Sequence, residues 1–450
     1  MADIFKAYDI RGKVGADLNE TVVKNIGKAF ADWLPREGEV AVGYDMRPES
    51  QQFAEAISEG LIAQGYGVVN IGQVATDMLY YTVGRYNLAG GAMVTASHNP
   101  GEYNGIKLCH EGAQGVSLDS GLDVIRDAIA TSSYKDPSKT GEVRELDVMD
   151  EWIDHVLSFI NVRELTPFKI AIDTGNGMAG KVMPVIAARL PFDITPMYYE
   201  LDGTFPNHPA NPLEPKNVED LIDTVRNKKL DLGIAFDADG DRMSLIDEKG
   251  RAVSGTIVTA MLAEYFLKED PSNIIYNAIC GQIVPKTIEE NGGTGIRTRV
   301  GHSFIKQEMK KANALFGGEH SMHYYFRDNW FADSGLIAAV VALAALSETG
   351  WTLSQYADKY DKFVQIPETN FEVEDKQAVI DSVAEQFGDA EQDRLDGLTV
   401  HFATSWFNLR PSNTEPLLRL NAEAANQTEL DSLVDKVRAA AGFEPIQRQK

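Results

Sequence analysis

The chain has 450 residues, 44% of them hydrophobic and 24% charged, and 42 Lys and Arg against 67 Asp and Glu leave a formal charge of −25. That composition belongs to a globular chain with several cores, and at roughly 100–200 residues per domain it accommodates two to four domains. The acidic balance excludes the broad basic surfaces that duplex nucleic acid and anionic membranes reward, leaving a small anion as ligand only where basic groups are focused locally.

Residues 39–44 predict a strand, residues 49–64 place Phe53, Ala56, Ile57, Leu61 and Ile62 at helical spacing, and residues 68–71 predict a second strand, together a βαβ unit. The polar stretch 131–139 interrupts this pattern, and a helix at about 150–161 precedes a strand at 168–173. A strand at 230–236 ends in an acidic loop, and a turn at 247–250 leads to a helix through 257–267. A strand–helix–strand run follows from 274 to 299. The longest apolar run, 336–346, is too short to span a bilayer and predicts a buried helix. After Phe363, short strand-like runs at 398–402, 406–409 and 416–421, without long helical crossovers, precede a helix at 429–441. The expected fold is α/β: three similar mixed α/β domains, at 1–145, 146–247 and 248–363, plus a smaller C-terminal α+β domain at 364–450.

Two cysteines, Cys109 and Cys280, lie far apart without metal-ligand spacing, which excludes a disulfide framework and fits a reducing cytoplasm. The N-terminal residues lack a basic segment followed by an apolar one, so no secretory leader is expected.

Five motifs could carry chemistry. Thr95-Ala96-Ser97-His98-Asn99-Pro100 follows an apolar run, and a serine at a strand end can be a nucleophile or phosphate carrier. A hydrolase is disfavoured, because adjacent Ser97 and His98 point apart in most backbone conformations and no G-x-S-x-G elbow surrounds them. Asp237, Asp239 and Asp241 stand at i, i+2 and i+4, where three carboxylates repel one another unless a cation such as Mg²⁺ sits among them. A calcium-binding EF-hand competes, with Glu248 at its twelfth position, but Arg242 stands where that loop needs glycine. Gly175-Asn176-Gly177-Met178-Ala179-Gly180 matches G-x-G-x-x-G after a strand, with Glu200 further on, and allows an NAD(P)-dependent oxidoreductase. Arg410-Pro411-Ser412-Asn413-Thr414, beside Arg419, offers a phosphate cradle. Gly317 to His323, with Gly301-His302-Ser303 and Lys306 upstream, can bracket sugar hydroxyls and move protons.

In this order the motifs resemble the α-D-phosphohexomutase family, from Tyr8-Asp9-Ile10-Arg11-Gly12 to the loop at Arg410. The resemblance implies four domains around a central cleft, each carrying one loop, and it returns the Gly175 loop to the second domain of a mutase. It implies a phosphoserine at Ser97, with His98, Lys107, Arg242 and His302 as further catalytic groups. Mg²⁺ would be held by Asp237, Asp239, Asp241 and a Ser97 phosphate oxygen. Tyr8, Arg11, Glu319, Ser321 and His323 would contact the sugar phosphate, and Arg410, Ser412, Asn413 and Thr414 its far phosphate.

The implied reaction interconverts hexose 1-phosphate and hexose 6-phosphate through a bisphosphorylated sugar, with hexose 1,6-bisphosphate as activator and a phosphosugar rather than nucleic acid or membrane as partner. Lys107 and His302 are the candidates for proton transfer. Many relatives look like K-T-G-H ahead of that histidine, whereas this chain reads Arg299-Val300-Gly301-His302, and an arginine cannot give up its proton. Relatives acting on glucose and mannose phosphates look like G-E-x-S-G-H in the recognition loop. Here His320 follows Glu319 and Met322 replaces the glycine. The expectation is phosphomannomutase or phosphoglucomutase activity over phosphoglucosamine mutase.

Overall fold

The computed structural model describes residues 4–135, 140–412 and 417–443, and they build four sheets. The first has seven strands, in the order Ile10–Lys13, Tyr103–His110, Gly90–Val94, Glu39–Tyr44, Gly67–Gln73 and Val143–Glu145, with Gln114–Gly115 pairing Tyr103–His110. Its βαβ unit is the one the periodicity predicts: helix Ser50–Ala63 buries Phe53, Ala56, Ile57 and Leu61 against strands that run parallel.

The second sheet runs Ala252–Val253, Met243–Asp247, Leu232–Phe236, Lys169–Asp173, Asp193–Met197, and so takes in a short strand just beyond residue 247. The third runs Thr294–Thr298, Asn273–Asn277, Phe316–Gly318, Tyr324–Phe326. In all three sheets the chemistry-bearing loops 95–100, 237–242 and 319–323 leave the carboxyl ends of strands that lie parallel to a neighbour, where α/β sheets open a crevice for ligands.

The apolar run becomes helix Gly335–Thr349, buried without interruption from Gly335 to Leu346. Burying each Leu, Ile or Val there contributes about 1.5–3 kcal/mol, which is why a helix without a polar face is stable in this position. Ser334 caps it, accepting from Ile337 N (3.0 Å) and donating to Asp77 Oδ2 of the first unit (2.6 Å). No helix among the described residues is long and apolar enough to cross a membrane.

One apolar core runs continuously through the second and third units and into the first, joining Met78 and Leu79 to Ile172, Leu245, Leu262 and Leu336. The fourth unit has its own core around Phe407, Leu418, Leu420 and Val434, beneath an antiparallel sheet. Its strands were expected without a long helix among them. Helix Lys376–Gln386 nevertheless lies there, burying only Ile380, Val383 and Ala384, an apolar stripe too narrow to stand out from its polar neighbours.

Two competing readings lose their structural basis. In the G-x-G-x-x-G loop, a Cβ at Gly177 would stand 2.5 Å from the Ala238 carbonyl oxygen, and one at Gly180 would stand 2.3 Å from that of Tyr199. Those glycines admit the acidic loop and the chain just beyond a neighbouring strand, leaving no room for a pyrophosphate, and Glu200 contributes its backbone carbonyl to Asn176 Nδ2 (2.9 Å). In the EF-hand reading Glu248 should turn back to the aspartates. Instead its carboxylate takes the Ser354 N–H (3.0 Å) and hydroxyl at the start of helix Leu353–Asp358.

Candidate active site

Ser97 is 3% exposed and adopts φ +47°, a left-handed conformation that L-residues avoid at a cost of about 1–2 kcal/mol. Thr95 Oγ1 stabilises the turn by accepting from Ser97 N (2.9 Å). The turn also corrects an expectation: Ser97 Oγ and His98 Nδ1 meet at 3.2 Å, because the left-handed residue swings the two adjacent side chains to the same side. The Arg242 guanidinium against the His98 ring, followed by burial, holds that ring well below its ordinary pKa, so His98 is an acceptor here.

The loop is braced by a residue that motif reading passed over. Arg47 is buried beside Asp45 (3.3 Å), and its guanidinium donates to the carbonyl oxygens of Ser97 (2.7 Å), Asn99 (2.6 Å), Pro100 (2.8 Å) and Tyr103 (2.8 Å). Phe205 of the second unit covers it, with the ring centroid 5.1 Å away. A planar fork with five N–H donors can serve four carbonyls at once; an ammonium cannot. Arg47→Lys is therefore expected to lower kcat about 100-fold with little change in KM, because groups of the Ser97 loop displaced by a fraction of an ångström lose their alignment in the cleft. Steady-state kinetics check this, and a kcat within a factor of about two of the parent would show that the loop holds its own shape. The available signal was Asp45 and Arg47 immediately after a buried strand, a place where unpaired charge is costly.

The acidic loop meets Ser97 directly. Ser97 Oγ donates to Asp237 Oδ2 (2.9 Å), and Arg242 spans both groups, from Nε to Asp237 Oδ2 (3.1 Å) and from Nη2 to Ser97 Oγ (3.2 Å). Asp239 Oδ2 accepts from Thr76 Oγ1 (2.6 Å) and Lys107 Nζ (2.7 Å), and Lys107 also bonds Asp241. Burial works against the ammonium, yet Asp239 and Asp241 hold Lys107 above its usual pKa.

The donor set fits a divalent cation on two observations. Oxygens of Asp237, Asp239 and Asp241 lie within 4.8 Å of one another, and the buried Asp239 Oδ1 and Asp241 Oδ1 have no hydrogen-bond partner among the described residues. Three carboxylates at the end of one strand are hard oxygen ligands, as Mg²⁺ requires. Thr76, absent from the sequence reading, orients one of them across 163 residues of chain.

Across the cleft, Tyr8 Oη donates to the Val300 carbonyl (2.9 Å) and its ring stands edge-on to His302 at 5.5 Å. Burial, then Lys306, lowers the His302 pKa to about 4, so its ring is neutral. Lys306 in turn pairs with buried Asp333 (2.7 Å) and lies 3.6 Å from the Tyr80 ring centroid. Glu319 accepts from Asn277 Nδ2 (2.9 Å) and from the Tyr325 hydroxyl. Ser321 Oγ lies 3.3 Å from His323 Nδ1, and His323 reaches toward both Asp241 (3.7 Å) and Glu319 (3.8 Å), linking the recognition loop to the acidic one. His320 bonds Thr256 instead (2.9 Å). Met322 takes φ +67° with its side chain buried, so the loop retains the backbone shape that a glycine would allow.

A cavity of about 140 Å³ results, lined by Tyr8, Arg11, Ser97, Lys107, Arg242, His302 and His323, which brings loops from three sheets together. Arg11 donates to Asn99 Oδ1 (2.6 Å) and the Ala96 carbonyl, and pairs with Asp9 (2.7 Å). From the fourth unit, Arg410 and Ser412 are buried at the end of strand Ser405–Pro411, and Arg410 pairs with Glu368 (2.7 Å). The field of Arg410 reaches Tyr8, where it opposes the burial and the Asp396 and Glu319 charges that push the phenol up to about 12. Asn413 and Thr414 lie outside the described residues.

Known proteins show the same organisation. Models of phosphoglucomutase/phosphomannomutase alpha/beta/alpha domains I, II and III match residues 2–135, 150–250 and 254–363, and that of the C-terminal domain matches 368–440. The chain is 38% identical over 430 residues to a protein named phosphohexose mutases from Xanthomonas campestris pv. campestris, covering 95% of this chain and 96% of the relative. It is 37% identical over 437 residues to a phosphomannomutase of Escherichia coli K12, with the same coverage. A crystal structure of a phosphoglucomutase/phosphomannomutase family protein from Burkholderia thailandensis superposes with a TM-score of 0.90 at 29% identity, covering 98% of this chain and 97% of that one. Four α/β and α+β units around a cleft of serine, acid and arginine loops define a phosphosugar-handling enzyme. The chain belongs to the phosphoglucomutase/phosphomannomutase family and is a phosphohexomutase.

Proposed function

We propose that this phosphohexomutase interconverts the 1- and 6-phosphates of mannose, glucose or both, with Ser97 as phosphoryl carrier. The observation that carries the assignment is Ser97 Oγ, held 2.9 Å from Asp237 and 3.2 Å from Arg242 in a cleft shared by three units. Phospho-Ser97 gives its phosphoryl group to one sugar hydroxyl, and the bisphosphorylated sugar turns end for end. The phosphate at its other end then returns to Ser97, so the phosphoryl count is conserved.

Arg242 and Arg11 neutralise phosphoryl oxygens, and Glu319, Ser321 and His323 hold the sugar hydroxyls. Arg410 and Ser412, together with Asn413 and Thr414, hold the far phosphate. The hydroxyl's proton needs an acceptor. The neutral ring of His302 has a lone pair to offer, whereas the Lys107 ammonium is engaged by two carboxylates, which favours His302. Asp237, Asp239 and Asp241 with a Ser97 phosphate oxygen would hold Mg²⁺, which when bound withdraws charge from the phosphoryl group in transfer.

A hexose 1,6-bisphosphate serves as activator by phosphorylating Ser97. The buried thiols of Cys109 and Cys280 suit a cytoplasmic enzyme. Names of relatives support mannose phosphate as a substrate. Incubation with mannose 1-phosphate, glucose 1-phosphate and glucosamine 1-phosphate, each with a trace of its 1,6-bisphosphate, ranks the sugars. Mannose and glucose are expected to lead, and a preference for glucosamine 1-phosphate overturns the sugar assignment.

A further inference from the structure

The site proposed for the far phosphate contains an acid of its own. Arg410 and Arg419 stand directly opposite each other on antiparallel strands Ser405–Pro411 and Leu417–Ala424, a placement in which like charges repel. Glu368, half-buried in the segment between Val364–Gln365 and Thr369–Glu372, reaches between them. Its Oε2 accepts from Arg410 Nη2 (2.7 Å) and Asn421 Nδ2 (3.2 Å), and its Oε1 accepts from Arg419 Nη1 (3.2 Å). Two guanidinium groups and an amide converging on one planar anion is the chemistry by which proteins hold a phosphate.

We propose that Glu368 is an internal stand-in for the substrate's far phosphate: it occupies the arginine pair when no phosphate is bound and competes with phosphate for that pair. The inference rests on the assignment of Arg410 to the far phosphate and adds a purpose to it. A reaction whose intermediate must turn end for end needs a phosphate site that releases within each cycle. Glu368 offsets the repulsion between the two facing arginines when the phosphate departs. With Glu368, the departing phosphate is replaced by a carboxylate that moves only a short distance, and the carboxylate's charge repels the phosphate that returns. Affinity that holds every bound species equally lowers KM without raising kcat, so the weaker hold on the phosphate raises KM and leaves kcat intact.

Calorimetric titration of glucose 6-phosphate into Ser97→Ala protein reads binding without turnover. Adding Glu368→Gln removes the charge and preserves the side chain's size. The dissociation constant is expected to fall about tenfold. In the enzyme with Ser97 intact, Glu368→Gln should lower KM and kcat together, because release becomes slow. A dissociation constant unchanged or raised overturns the inference and leaves Glu368 as a group that merely holds the arginines in place. Glu368→Ala repeats the measurement, with the same expected direction, should the glutamine variant not fold. Arg410→Gln separates the two layers: it should weaken glucose 6-phosphate binding at least tenfold, and full affinity in that variant rejects the phosphate site itself, whatever Glu368 does.

Discussion

Ser97→Ala protein is expected to gain no phosphoryl group from a hexose 1,6-bisphosphate and to lose about 10⁴-fold or more in turnover, as removal of the proposed covalent carrier would cause. The expectation follows from the geometry of a single atom. Ser97 Oγ lies 2.9 Å from Asp237, 3.2 Å from Arg242 and 3.2 Å from His98, so the acid loop and a guanidinium already converge where a phosphoryl group would sit. Alanine at φ +47° keeps the backbone strain and removes the hydroxyl. Glycine adopts that conformation freely. Ser97→Gly is expected to be as inactive as Ser97→Ala, which separates the lost hydroxyl from any lost loop shape. Intact-mass analysis reads the phosphoryl gain and a coupled assay reads turnover. Activity above about 1% of the parent in either variant removes Ser97 from the reaction.

Exhaustive chelation of divalent cations is expected to lower turnover about 10³-fold, the several kcal/mol that a metal contributes to charge stabilisation in phosphoryl transfer. The fold should survive the treatment. Lys107 bonds both Asp239 and Asp241, and Arg242 bonds Asp237, so two internal cations already offset most of the charge on the three buried acids. Thermal unfolding with and without chelator should therefore show a small shift in Tm, while added Mg²⁺ restores activity. Full activity after chelation eliminates the metal. Collapse of the fold on chelation would show instead that Lys107 and Arg242 do not compensate the acids.

Much of the architecture was legible as pattern. Strand Glu39–Tyr44 announced itself as a short β-branched run, helix Ser50–Ala63 through a period of 3.6, and helix Gly335–Thr349 through an unbroken apolar run. Helix Lys376–Gln386 escaped because three buried side chains among polar ones make too faint a stripe. The chemistry was legible wherever it is local. Asp237, Asp239 and Asp241 share one loop, and Ser97 stands in one turn, so local sequence alone brings out the acid cluster and the serine at a strand end.

Partners remote in the chain left no such trace. Ser97 and Asp237 are 140 residues apart, Thr76 and Asp239 are 163 apart, and Arg410 and Glu368 are 42 apart. Arg47 reads as one charge among many until its guanidinium is seen to serve four carbonyls of the Ser97 loop. The meeting of Ser97 with His98 escaped for a different cause, a left-handed φ that sequence neighbours do not encode. Residue types and short spacings thus specify which loops can carry phosphate, metal and sugar. Which acid each base answers, and which histidine stays neutral, comes from the packing of separate units, because charge interactions depend on distance and burial rather than on order along the chain.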